Sequence, residues 1–463
     1  MPRWRTPSQL NDKGALVTID DKLTRLSGLA LALTIVGAPL GCGDDKVGTT
    51  DTQTDVGDPD AADTDGTSDT TGTPDAAPDV TPEPGLANNI ELLNEDIDMS
   101  LGRSGTFTVD VPADVVALTI SVEGSSDSFY GLASWIGPNG FELVYGTWTS
   151  SQEGQGGLCL SCKNRIALSG GTFASIAPNN PESQVDSGLH TFSLFGYIGP
   201  EVINSQGPCG DNICHSFDQF ICPQDCGTSP ASGPVRVRVH AKVADAGLPA
   251  TGVLDLNLHF TGAQGFTAAS AKDDPTFQGY LSAMDTIYQT VGIRLGTITY
   301  RDIDPGYATI ESLDGANSDL QAMFAESDGN PNAVNLFFVN ELSAGAFGGF
   351  GVILGIAGGI PGPPLVQGSS KSGVAIALKP VEGMPAGVDT TMAHEVGHFL
   401  GLFHTSEQAF FPPQVHDPLP DTPENDESFL MFNTGAGNKL SEWQGRVMRQ
   451  NPFVRHPFAT ASE

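Results

Sequence analysis

Residues 394–404 read HEVGHFLGLFH, and no other stretch restricts the chain as tightly. His394 and His398 are four apart, so a helix puts both imidazoles on one face and aims them at one point. Zinc favours tetrahedral nitrogen ligation, and a catalytic site takes three protein ligands and leaves the fourth position for water. Glu395 stands beside the first histidine, where its carboxylate can take a proton from that water. Gly401 is where the helix should stop. Glycine tolerates positive φ, so the chain can turn there and bring His404 back as a third ligand. The competing reading is an amphipathic helix whose histidines merely pack or face solvent. The flanking Phe399, Leu400, Leu402 and Phe403 suit a buried helix carrying a site better than a solvated one.

This pattern resembles the metzincin metalloprotease signature, in which the three-histidine string is followed by a methionine turn. Met431, within residues 428–432 (SFLMF), is the expected hydrophobic floor beneath the ligands. Within that clan, His404-Thr405, then Asp421-Thr422-Pro423, then Leu430-Met431 are most similar to the pappalysin/cytophagalysin branch. The chain departs from its relatives in two ways: no cysteine follows Cys226, and no tyrosine follows Met431 to act as a further zinc ligand. The resemblance implies a zinc endopeptidase acting on proteins or peptides, with His394, His398 and His404 as ligands and Glu395 as general base. Two readings from other classes stay open. One is a surface binding or adhesion lipoprotein that retains a structural zinc site, and the other is a zinc hydrolase of a non-peptide substrate.

The chain of 463 residues is long enough for two or three domains. Its 21 basic and 55 acidic residues give a net charge of −34, which excludes nucleic acid as a partner, because phosphate binding needs clustered Lys and Arg. The acid is concentrated in residues 43–87, where Asp and Glu alternate with Thr, Pro, Gly and Ala and large apolar residues are scarce. Such a segment cannot bury enough surface to offset its ordering entropy, and it reads as an extended acidic tether. Ahead of it, Lys22 and Arg25 precede an apolar run over residues 26–40, followed by Gly41 and Cys42. A basic flank, a short apolar core and small residues at the cut describe an export signal, too short to be a permanent membrane span. Ending at Leu40-Gly41-Cys42, it resembles a bacterial lipoprotein signal, which implies Cys42 as the lipidated N-terminus of an envelope or surface protein. Ordinary secretion is the alternative. Membrane contact is expected only through that lipid anchor.

Removing Cys42 leaves six cysteines, Cys159 with Cys162 and then Cys209, Cys214, Cys222 and Cys226. In an exported chain these are expected to be oxidised, with three connectivities open for the second group. A four-cysteine zinc knuckle with His215 nearby is the competing view. Asp211, Asp218 and Asp225 are candidate calcium (Ca2+) ligands, as are His416 and Asp417, beside the simpler reading of both sets as solvated loop groups.

The expected architecture is multidomain. Residues 1–42 form the signal and 43–87 the tether. Residues 88–200 carry short β runs at 106–111, 115–122, 141–144 and 191–195 and read as a small β-sandwich accessory domain. Residues 205–228 form the cysteine-rich segment. Residues 234–463 read as an α/β (α+β) metzincin-like catalytic domain. Its expected strands are at 235–242, 254–260, 297–300, 334–339 and 372–378, and its expected helices at 276–290, 320–325 and from about 389. The glycine- and proline-rich stretch 345–366 is either a cleft-edge strand or an insertion without a substrate role. A capping-box pattern from Ser441 to Gln444 starts a last helix running towards Asn451.

Overall fold

The computed structural model describes residues 32–36, 88–145, 158–159, 161–198, 202–203, 214–215, 229–313, 318–343, 352–379, 387–407 and 415–456. Cys42, the acidic tether, Cys209, Cys222, Cys226, Asp211, Asp218 and Asp225 lie outside the described residues. The earliest described element is a short strand, β1 (Ala32–Val36), which falls within the apolar run expected to be an export signal. Among the described residues no helix is long and apolar enough to cross a membrane.

Residues 88–243 build an eleven-stranded sheet. Its principal strands are β2 (Asn88–Ser100), β3 (Phe107–Val111), β4 (Val115–Glu123), β5 (Ser128–Ile136), β6 (Thr172–Ala177), β7 (Gly188–Ile198) and β8 (Gly233–Val243). β7 pairs with β5 and β3, while β8 lies between β2 and β4, and β6 closes the other side of β4. All of these strands belong to one hydrogen-bonded sheet, which does not by itself confirm the expected β-sandwich. β8 is also a correction to the expected boundary, because residues 234–242 were placed with the catalytic domain. Its alternation explains the pairing. Val235, Val237, Val239 and Ala241 are buried in the sheet's core, while Arg236 and Arg238 on the other face pair with Asp96 and Glu123. A disulfide joins Cys159 to Cys162 in this unit. The expected oxidation of the second cysteine group involves undescribed residues. Of these, only the strand Cys214–His215 is placed, running parallel to Val202–Ile203.

The second unit is an α/β layer. Its elements are β9 (Gly252–Phe260), α1 (Pro275–Gln289), β10 (Ile293–Asp302), α2 (Asp319–Ala325), β11 (Val334–Val339), β12 (Val352–Ala357), β13 (Val374–Ala377), α3 (Val388–Phe399), α4 (Glu442–Gln450) and β14 (Val454–Arg455). β10, β9, β11 and β13 lie in that order as parallel neighbours, and β12 runs antiparallel to β13. β1 pairs antiparallel with β12 on the side away from β13. Residues 352–357 of the glycine-rich stretch are thus a strand held between β13 and β1.

α1 starts where the sequence says it must. Asp274 caps it by accepting hydrogen bonds from the amides of Thr276 and Phe277, with Pro275 in the first turn. Its buried stripe is Phe277, Leu281, Met284, Ile287 and Tyr288, with Tyr280 packed beside it. Each such side chain taken out of water contributes about 1.5–3 kcal/mol. α4 carries the expected capping box, Ser441 with Gln444.

β9 is buried on both faces. Leu254, Leu256, Leu258 and Phe260 face the helices, while Asp255, Asn257 and His259 occupy the opposite face. There His259 stacks on Phe337 at 4.4 Å and shares a hydrogen bond of 3.1 Å with Asn335. Burial pushes the His259 pKa down to about 4. A base whose folded pKa is depressed binds protons more readily when unfolded. Stability is therefore complete above the unfolded value near 6.5 and is lost as pH falls from there towards 4. Replacing His259 with Gln should flatten this decline by about 3 kcal/mol at most, read as the difference between wild-type and variant urea stabilities at pH 7 and pH 4.5.

Candidate metal centre

α3 delivers two histidines from one face. Its described residues from Thr391 to Phe399 are buried, His394 and His398 among them. The helix ends in a Schellman arrangement. The Gly401 amide donates to the His398 carbonyl at 2.8 Å and the Leu402 amide to the Gly397 carbonyl at 3.0 Å, with Gly401 at φ 112°. This left-handed residue reverses the chain and brings His404 back. The three Nε2 atoms then stand 3.0, 3.1 and 3.2 Å apart.

The protonation pattern fits a metal. Nδ1 of His394 lies 2.6 Å from the Leu430 carbonyl and Nδ1 of His398 lies 2.7 Å from the Leu402 carbonyl. A carbonyl only accepts, so each Nδ1 carries the ring proton, and Nε2 is left with a bare lone pair. Burial first, and the neighbouring His404 second, hold His394 down to about 3 and His398 well below the usual imidazole range. Both rings are therefore neutral at pH 7, the form that binds metal. Tetrahedral zinc with Zn–N of about 2.0–2.1 Å requires nitrogens about 3.3 Å apart, close to the observed spacing. The residues fit zinc.

Met431 is fully buried beneath this group. A Cβ placed on Gly397, between the two helical histidines, would meet the Met431 sulfur at 2.7 Å, so glycine is what lets the floor approach the helix. The Thr405 amide donates to the Met431 carbonyl at 2.8 Å. The 430–431 turn therefore holds the chain beside His404 as well as the ring of His394. Glu395 is buried and packs on β12, where a Cβ added to Gly355 would stand 2.5 Å from the Glu395 Cγ. The general-base candidate thus packs against β12 from the helix that carries His394 and His398.

Among the described residues, the three histidines are the one group of ligating side chains close enough to share an ion. His416 and Asp417 do not form a second one, so the structure gives no support for calcium there. The His416 Nε2 stands 3.8 Å from the Asp417 carboxylate, whose other partners are the Leu419 amide and the Thr422 hydroxyl. Burial raises Asp417 to about 7.

Several residues that shape the centre escaped the sequence reading. Tyr288, fully buried on α1, donates its hydroxyl to the Ala393 carbonyl at 2.7 Å, tying α1 to the turn before the first ligand. Its position on the apolar stripe was legible, but its partner was not. Arg165, from the first sheet's unit, donates to the His416 carbonyl at 2.9 Å and lies over the Phe403 ring at 5.8 Å. No local signal marks it.

Residues 276–405 match the family described as Metallo-peptidase family M12B, reprolysin-like. They form a reprolysin-like metallopeptidase domain. The matched span runs from the start of α1 to the residue after His404. The likeness to the pappalysin/cytophagalysin branch rests mainly on residues 421–431, which lie beyond it. No curated protein shows significant similarity to the chain. Among solved structures, metalloproteinase-II from Bacteroides fragilis is 15% identical, with 43% of this chain and 52% of that one covered at a TM-score of 0.27. The chain thus spans about half the length of that protein. A family two carbohydrate esterase from Cellvibrio japonicus is 9% identical, with 57% and 82% covered at a TM-score of 0.14. Superpositions this loose carry no inference about fold or chemistry.

The turn that returns His404 to the cluster is itself testable. At Gly401 a Cβ would be strained by φ 112° and would approach Ile176 of β6 to 3.1 Å and Val447 of α4 to 3.4 Å. Gly401→Ala should lower stability by about 1–3 kcal/mol and weaken zinc binding, as read by thermal unfolding and chelator competition.

Proposed function

We propose that the chain is a zinc-dependent endopeptidase that hydrolyses peptide bonds of extracellular proteins. The observation carrying this reading is the convergence of three Nε2 atoms within 3.0–3.2 Å of one another, with Glu395 on the same helix packed against β12. His394, His398 and His404 would hold a zinc ion, which would supply a water of lowered pKa and a positive charge to polarise a carbonyl. Glu395 takes the proton of the attacking water and passes it to the leaving amine. His394 and His398 stay neutral donors throughout, because the Leu430 and Leu402 carbonyls hold their Nδ1 protons.

The backbone of β12 is suited to bind an extended peptide, because a strand's outer edge presents donors and acceptors at regular spacing. Its pairing with β1 supports this reading, since an extended apolar segment already lies along it antiparallel. The burial of Glu395 against Gly355 keeps the base within reach of a chain bound there.

The same reading places the protein outside the cytoplasm as an envelope or surface lipoprotein. Lys22 and Arg25 before the apolar run, and Cys42 after it, support export. The Cys159–Cys162 disulfide is a bond that persists in oxidising compartments. Removal of an export segment ending before Cys42 would also remove β1 from β12 and leave that edge free for substrate.

Purified protein should contain about one zinc per chain. Glu395→Ala should retain that zinc and lose peptide cleavage by at least about 100-fold. Metal content and product sequencing on a mixed peptide library check both, and undiminished proteolysis in the variant would sink the assignment. Hydrolysis confined to an ester or amide panel would favour the non-peptide hydrolase instead.

A further inference from the structure

Lys242 stands on the face of β8 that its alternation assigns to Arg236 and Arg238, yet it is 2% exposed. The second unit covers this end of the strand. The Lys242 ammonium donates to the carbonyls of Arg449, Asn451 and Val454 at 2.8, 2.7 and 2.8 Å. Three acceptors match the three protons of an ammonium, and all belong to the chain leaving α4. The last carbonyls of a helix have no partners within it and carry the negative end of its dipole, so a cation is the complementary group. Burial pulls the Lys242 ammonium well below the usual lysine range. Two further contacts grip the same turn from the first sheet. Asn89 donates to the Pro452 carbonyl at 2.9 Å, and Gln450 donates to the Val116 carbonyl at 3.3 Å.

What this turn does next reaches the metal centre. Asn451, fully buried, donates its side-chain amide to the Leu400 carbonyl at 3.2 Å. Leu400 is the C-cap of α3 and immediately precedes Gly401, the residue that sends the chain back to His404. Val447 of α4 and Ile176 of β6 line the same glycine.

We propose that Lys242 is a positioning residue for the zinc site. It fixes the turn after α4, so that Asn451 holds the Leu400 carbonyl and sets the glycine turn that delivers His404. The β-rich unit is then an obligate part of the metallopeptidase body, not a detachable accessory. This inference rests on the zinc reading above.

The test compares full-length wild type with Lys242→Met, Asn451→Ala and the double variant. Zinc affinity is read by competition with a chromophoric chelator, and the fold by near-UV circular dichroism. Asn451→Ala leaves the lysine's three bonds in place and is the variant expected to keep its fold if Lys242→Met does not. Each single variant should weaken zinc binding by about tenfold, the usual loss when a group supporting a ligand is removed. The double variant should lose little more than the worse single one, because both act along one path. In a His404→Ala background, Asn451→Ala should no longer change the residual zinc affinity. A folded Asn451→Ala protein with zinc affinity within twofold of wild type overturns the proposal. So do fully additive losses, which would mark two independent structural contacts. Failure of wild type itself to bind zinc would instead sink the zinc reading, and is scored separately.

Discussion

Three imidazole Nε2 atoms standing 3.0–3.2 Å from one another are the constraint around which the second unit is arranged. Neutral nitrogens repel at that distance unless a cation lies between them, and the rings cannot turn away because Leu430 and Leu402 hold two of them by Nδ1. Much of the surrounding packing serves to keep them there. Tyr288 fixes the helix from the side of α1, Met431 closes it from below through the gap left by Gly397, and Gly355 lets β12 lie close against Glu395. Burial keeps His394 and His398 uncharged, the form that binds metal.

The glycine turn shows how strongly the two units depend on each other. Gly401 is contained by Pro361 within its own unit, by Val447 of α4 and by Ile176 of the first sheet. The carbonyl before it is held by Asn451, whose own carbonyl is held by Lys242. Arg165 adds a contact on the far side of His404 through Phe403 and the His416 carbonyl. The β-rich unit thus supports the turn from behind and the following loop from the side. Near the zinc ligands, a boundary between accessory and catalytic parts has little physical meaning.

Local patterns in the chain were a good guide wherever one residue's neighbours along the sequence are also its neighbours in space. The i, i+4 histidines, the glycine at the helix end, the Ser441 cap and the alternation of β8 are all of this kind. The assignment of β8 to the catalytic unit failed for the opposite reason. Alternation specifies which face of a strand is apolar, and nothing in it says which strands lie on either side. Lys242 was unreadable for a related reason: a lysine continuing the row of Arg236 and Arg238 looks solvated until another unit is laid over it. The stretch 345–366 was equally ambiguous, because glycine and proline hide the period of a strand; only the pairing of β12 with β13 resolves residues 352–357.

By itself the sequence determined which groups are at hand: three histidines at ligand spacing, a carboxylate beside the first and a helix that ends at Gly401, because residue type and helical spacing are covalent properties of the chain. The tertiary structure alone decided the rest. It brought Met431 beneath Gly397, set Glu395 against β12, and drew Lys242, Asn451 and Ile176 in behind the turn. These contacts join residues far apart in the chain, and their geometry follows from how sheets and helices pack rather than from any local propensity.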